Sequence, residues 1–253
     1  TPSYTFASTL TGLTLGHSKN TQAITLGSAI SIAGPITVYG GDITVNADLT
    51  STNLNSAIQL LASGAITNTN NTGVKTFTTN GGAVLFSSDT DGNDNGNIRF
   101  MYGLTIDTRL GLAGSKSAGT TGVGVITLAG GNFSGSGYAA GTSSTAAAGI
   151  RVDYGLTMYS GGGDINLRGK SWAGDVGSGW EAWGIGFWNG ATSLVADSGV
   201  GKIYLEGISR SSGTSSYKMG LSTYYAVDLK SAYAGADAIK LVGSNTTSGA
   251  GWN

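Results

Sequence analysis

The sequence has no cysteine, one histidine and two prolines in 253 residues, and only 11% of its residues are charged. Each shortage excludes something. Without cysteine there are no disulfides and no thiolate metal sites, and with His17 alone there is no histidine cluster to hold zinc or serve as a catalytic base. Scarce proline excludes collagen, although glycine is abundant at 44 residues. The formal net charge of -1 leaves no basic surface for nucleic acid. No apolar run approaches the ~20 residues of a membrane span. No charged stretch leads into an apolar one at the start, so no signal peptide is expected within the sequence.

A hydrophobic fraction of 40% is nonetheless enough for a core. Apolar residues fall at every second position in short windows, such as "DITVNADLT" (42–50), "DINLRG" (164–169) and "KIYLEG" (202–207). Period two marks strands with one face turned inward. The phrase "IRFMYGLTI" (98–106) returns as "IRVDYGLTM" (150–158), with six of nine positions identical and the start points 52 residues apart. A second phrase, a glycine turn followed by Ile-x-Leu, is anchored by Ile126, Ile165, Ile203 and Ile239 at spacings of 39, 38 and 36. Repeats of this length without helical periodicity leave a β-propeller or a β-solenoid. The drifting period and single-glycine turns favour the solenoid, in which each coil meets only its neighbours.

The sequence therefore predicts an all-β, single-domain parallel β-helix over residues 1–253. Residues 1–22 form an edge region, and "NFSGSGYAAGTSSTAAAG" (132–149) is a surface insertion that lengthens one repeat. Two coils of 18–20 residues per repeat give about a dozen coils and a rod of roughly 50–60 Å. Ile98, Phe100, Leu104 and Ile106 would point inward above Ile150, Val152, Leu156 and Met158, with Gly103 and Gly155 at a corner.

"GPITVYGGDITVNADLTS" (34–51), "GGGDINLRGKS" (161–171) and "GVITLAGGNFSGSG" (124–137) resemble the repeats of filamentous-haemagglutinin-like exoproteins of bacterial surfaces. The resemblance runs from about residue 20 to most of the remaining chain. It implies a right-handed parallel β-helix and an extracellular or cell-surface location. It also implies a structural or adhesive role in adhesion, biofilm or filament formation, with no catalytic residues in the repeats. Partners would be a host-cell or matrix glycan or protein, or copies of the chain end to end.

Two stretches are candidate sites. In "DTDGNDNGNIRF" (89–100) the order Asp91, Asn93, Asn95 and then Gly96 follows the start of a calcium loop, with Asp89 or Asp94 adding charge. Position 12 is Tyr102 instead of the bidentate glutamate, and a polar turn between coils explains the same residues. Trp172, Trp180, Trp183 and Trp188 cluster near Asp175 and Glu181. Such rings fill a core, form a protein contact or stack on sugars. The last option makes a glycan-binding or glycan-cleaving β-helix the alternative function. Carboxylate pairs for cleavage would be Asp153 with Asp164, or Asp175 with Glu181. "GDINLRGKS" and "GVGK" lack the spacing and following helix of a phosphate loop.

Overall fold

The computed structural model describes residues 5–69, 73–111, 116, 124–177, 182–196, 199–213, 215 and 217–246. The strands wind in threes. The first coil is β1 (Leu13–Leu15), β2 (Ile24–Leu26) and β3 (Ile30–Ile32). The second is β4 (Ile36–Gly40), β5 (Ile43–Val45) and β6 (Leu49–Leu54), and the third is β7 (Ile58–Ala62), β8 (Ile66–Thr67) and β9 (Lys75–Asn80). The fourth holds β10 (Val84–Ser88), β11 (Ile98–Phe100) and β12 (Leu104–Asp107). The fifth holds β13 (Ile126–Gly130), the short β14 (Ala139–Ala140), β15 (Ile150–Asp153) and β16 (Leu156–Ser160). The sixth is β17 (Ile165–Lys170), β18 (Trp183–Trp188) and β19 (Thr192–Ala196). The seventh is β20 (Ile203–Ser209), β21 (Met219–Thr223) and β22 (Val227–Ser231), and β23 (Ile239–Asn245) opens an eighth.

Every third strand stacks on the one before it. The first sheet runs β1-β4-β7-β10-β13-β17-β20-β23, the second β2-β5-β8-β11-β15-β18-β21, and the third β3-β6-β9-β12-β16-β19-β22. All of these pairings are parallel, as in a parallel β-helix. The repeated phrase pairs with itself: Ile98 faces Ile150 and Leu104 faces Leu156 across neighbouring coils. The eight residues expected to point inward are all buried. At the corner, Gly103 and Gly155 take φ of 86° and 106°, a region that side chains avoid.

The expectation of a dozen coils is corrected. Each repeat of 36–39 residues is one coil, because its two phrases lie on different sheets of the same turn. Leu13, Ile36 and Ile58 stack in register 23 and 22 residues apart, which is the length that three strands and three corners need. Longer coils spend the excess in loops. Eight layers at ~4.8 Å make the rod about 34 Å long. The 132–149 segment lies between β13 and β15. Its β14 joins the first sheet beside β17, and Ala139, Ala140, Ala147 and Ala148 are buried.

One continuous core runs up the middle. It contains an aromatic cluster, where the Phe77 and Phe86 rings meet edge to face at 4.6 Å and Phe86 stacks on Phe100 at 5.8 Å. Outside the core, turn carboxylates bind one coil to the next. Asp42 accepts a hydrogen bond from the Ala65 N–H at 2.8 Å, and Asp164 accepts one from the Lys202 N–H at 2.8 Å. Each ties a Gly-Asp-Ile turn to the residue that precedes the next strand. This satisfies an N–H that the ladder has not yet reached.

Two stability changes follow. Phe86→Ala leaves a cavity in the middle of the stack and is expected to cost about 3–5 kcal/mol in urea unfolding. Asp164→Ala removes only the turn bond and is expected to cost about 1–2 kcal/mol. A Phe86→Ala loss no larger than that of Asp164→Ala would mean that the aromatic cluster is not the centre of the core.

Candidate functional site

The calcium-like segment follows β10. Asp89 is fully buried and holds φ of 52°, a conformation that Asp and Asn tolerate best. Its Oδ1 accepts from the Asn95 N–H at 3.3 Å, while its Oδ2 is buried without a hydrogen-bond partner. Burial raises the Asp89 carboxyl above its usual range, opposed by the Asn95 N–H and the charge of Lys170 and reinforced by Asp91 and Asp94. Asp91 and Asn93 are exposed, and the Asp91 Oδ2 accepts from the Asn93 amide at 2.9 Å. Asp94 turns away toward Lys170, to which it is paired, and toward Arg210 at 2.7 Å. Burial alone would raise its carboxyl, but these two cations outweigh burial and hold it low. Asp94 thus clamps the turn to β17 and to the residue after β20. Among the described residues no group of three or more His, Cys, Asp or Glu side chains is placed to hold a metal ion.

The tryptophans do not form one platform. Trp172 packs against Ala147, Val176 and Ala182. Trp183 is 1% exposed, and its ring lies over the outer side of β18 in the space a side chain at Gly186 would need. Arg151 sits over that ring at 5.7 Å. Trp188 is half-buried, 6.0 Å from Trp183 and 4.0 Å from Tyr224. Trp180 and Glu181 lie outside the described residues. Among the carboxylates considered for cleavage, Asp153 is buried and paired with Arg151 at 2.8 Å. Asp164 holds Lys202, and Asp175 accepts from the Gly177 N–H at 2.7 Å.

Sequence reasoning passed over the tyrosines of the repeated phrase. Where the second sheet turns into the third, Tyr102, Tyr154, Asn189 and Tyr225 follow the register of successive coils. The rings of Tyr102 and Tyr154 are 6.4 Å apart and within 9° of parallel. The Tyr225 hydroxyl donates to Asn189 Oδ1 at 3.3 Å. Tyr154 is 58% exposed, and Tyr224 and Tyr225 are also exposed. The signal was present in the sequence, since "MYG" (101–103), "DYG" (153–155) and "YYA" (224–226) occupy the same place in three repeats.

The far end of the rod is the other distinctive surface. β23 stands one strand ahead of β21 and β22, so the last coil ends in a step. The seat beside β23 is an apolar pocket of about 250 Å³ lined by Ile185, Phe187, Leu205, Leu221, Val227, Leu229 and Leu241, with Ser222 and Thr223. Ile239 and Leu241 are 41% and 52% exposed, although their counterparts Ile203 and Leu205 one coil back are buried. At the opposite end, Phe6 and Leu10 pack against the core.

The chain matches no protein-family model, and neither characterised proteins nor solved structures give a match.

Asp89→Asn should keep the turn, remove the buried charge and raise the melting temperature by a few degrees at pH 7 in chelator. Because the folded carboxyl titrates above the unfolded value of 3.8, the penalty is present above the folded value and fades as pH falls through it. The two proteins converge once both states are protonated. A calcium ion held by Asp89 would reverse the sign, with calcium stabilising the parent and not the variant.

Proposed function

We propose that this chain is a structural and adhesive β-helix of a bacterial cell surface. It would act as a stalk or fibre segment without catalysis, of the kind that filamentous-haemagglutinin-like repeats build. The observation that carries this reading is the stepped apolar end formed by the last described strands. Among the described residues the three parallel sheets end in a step, at β21, β22 and, one layer further, β23, with an apolar floor between them. Open strand edges over apolar surface invite another strand. A solenoid supplies a fitting one, because each coil buries apolar pairs at the same register. Leu13 and Leu15 of β1 align through the ladder with Ile203 and Leu205 of β20. Further coils would continue this end, either of a longer chain or of another copy joined head to tail as an open filament. Asp153 is paired with Arg151 of its own strand, and Asp164 ties its turn to the Lys202 N–H of the next coil, so both serve the frame.

Electron microscopy over a range of concentrations tests the reading. Rods are expected to join end to end as concentration rises. Leu241→Lys should abolish joining while changing stability by no more than about 0.5 kcal/mol, because the side chain is half exposed. Single short rods at every concentration would overturn the end-to-end role.

A further inference from the structure

The tyrosine corner between the second and third sheets carries an inference that deepens the adhesive reading. We propose that Tyr102, Tyr154, Trp188, Asn189, Tyr224 and Tyr225 form a binding ridge for a neutral polysaccharide chain. This rests on adhesion being the role of the rod, yet it is tested apart from end-to-end joining.

The backbone gives the first argument. Among the described residues, six that are not glycine have positive φ; five are Asn or Asp, and the sixth is Tyr154 at 60°. The next coil places Asn189 at the equivalent position with φ of 57°, where Asn meets the conformation without a large ring, whereas Tyr102 and Tyr225 on the flanking coils do not adopt it. L side chains disfavour the region, and a bulky ring there is an outlier. Packing does not offset the strain, because more than half of Tyr154 faces solvent. A strained residue with an outward ring points to work done at the surface.

Geometry gives the second argument. Tyr102, Tyr154, Asn189 and Tyr225 occupy four successive coils, so the ridge runs about 14 Å along the rod at one position per coil. Trp188 and Tyr224 flank it at 4.0 Å from each other. A linear glycan also repeats one ring at a time, with C–H faces for aromatic rings and hydroxyls on its rim. Tyrosine hydroxyls and the Asn189 amide supply hydrogen-bonding groups of the kind such a rim needs, the Tyr225 hydroxyl already donating to Asn189 Oδ1.

Charge gives the third argument. Asp153, which precedes Tyr154 in the chain, is buried and neutralised by Arg151 through two hydrogen bonds at 2.8 and 2.9 Å. None of the six ridge residues is an Asp, Glu, Lys or Arg. That favours a neutral chain over a uronate or a sulfated one, and over a charged protein surface.

The test is affinity gel electrophoresis of the whole chain in a soluble β-glucan, a xylan and a galactomannan, with melting curves alongside. The parent should be retarded by at least one of these. Tyr154→Gly relieves the backbone and should melt at the same temperature or higher, yet bind about tenfold more weakly. Tyr225→Ala should lose binding similarly. Phe133→Ala, which alters an exposed ring in the turn after β13 that packs against Tyr39, should bind as the parent does. No retardation of the parent in any gel would overturn the proposal, as would retardation unchanged in Tyr154→Gly and Tyr225→Ala. If those two changes instead abolish self-association in sedimentation, the ridge is a contact between copies and the glycan assignment falls. Rods that still join end to end while glycan binding fails leave the structural role standing and sink only this inference.

Discussion

Everything in this molecule depends on like residues stacking on like in a parallel register. An isoleucine or leucine above its own kind in the next coil buries both and leaves little void. A parallel ladder then pairs every backbone group between coils. A shift of one residue would turn the whole apolar set outward. That explains why a chain with little charge and no disulfide repeats its phrases so closely. The phrase at 98–106 returns at 150–158 because the two lie one above the other.

The same constraint separates interior from corners. The interior is filled mainly by apolar residues, and buried polar ones among them are tied to backbone, as Ser51 is to the Gly34 carbonyl at 2.8 Å and Ser88 to that of Gly96 at 2.7 Å. Corners and outer faces carry the chemistry that differs from coil to coil. The Asp89 turn, the Asp94 clamp, the Trp183 ring over β18 and the tyrosine ridge all belong to these exposed or covered corners. None interrupts the ladder beneath.

Much of the fold was legible in the sequence because period two and the 36–39-residue spacing are direct images of pleat and coil. The inward residues and the corner glycines followed from that. The coil count did not, because spacing alone cannot tell two short turns from one long turn with loops; only the pairing of Ile165 with Ile203 decides it. The tryptophans illustrate a different limit. Their clustering in sequence was plain, but Gly186 makes room for the Trp183 ring on the outer face, and a strand period cannot foresee a ring folding over its own neighbour. Tyr154 was hidden for the opposite reason: it sat inside a phrase already explained as architecture.

From Leu13 to Ile36 a coil uses 23 residues, whereas from Val84 to Ile126 it uses 42, and both pairs of strands stay in register with their neighbours. Length is therefore a free variable at the corners and a fixed one along the ladder. A lineage carrying such a chain can lengthen, shorten or exchange a corner by small insertions and deletions without renegotiating the interior. New surface properties would then arise one coil at a time, on a frame whose heredity is nearly independent of them.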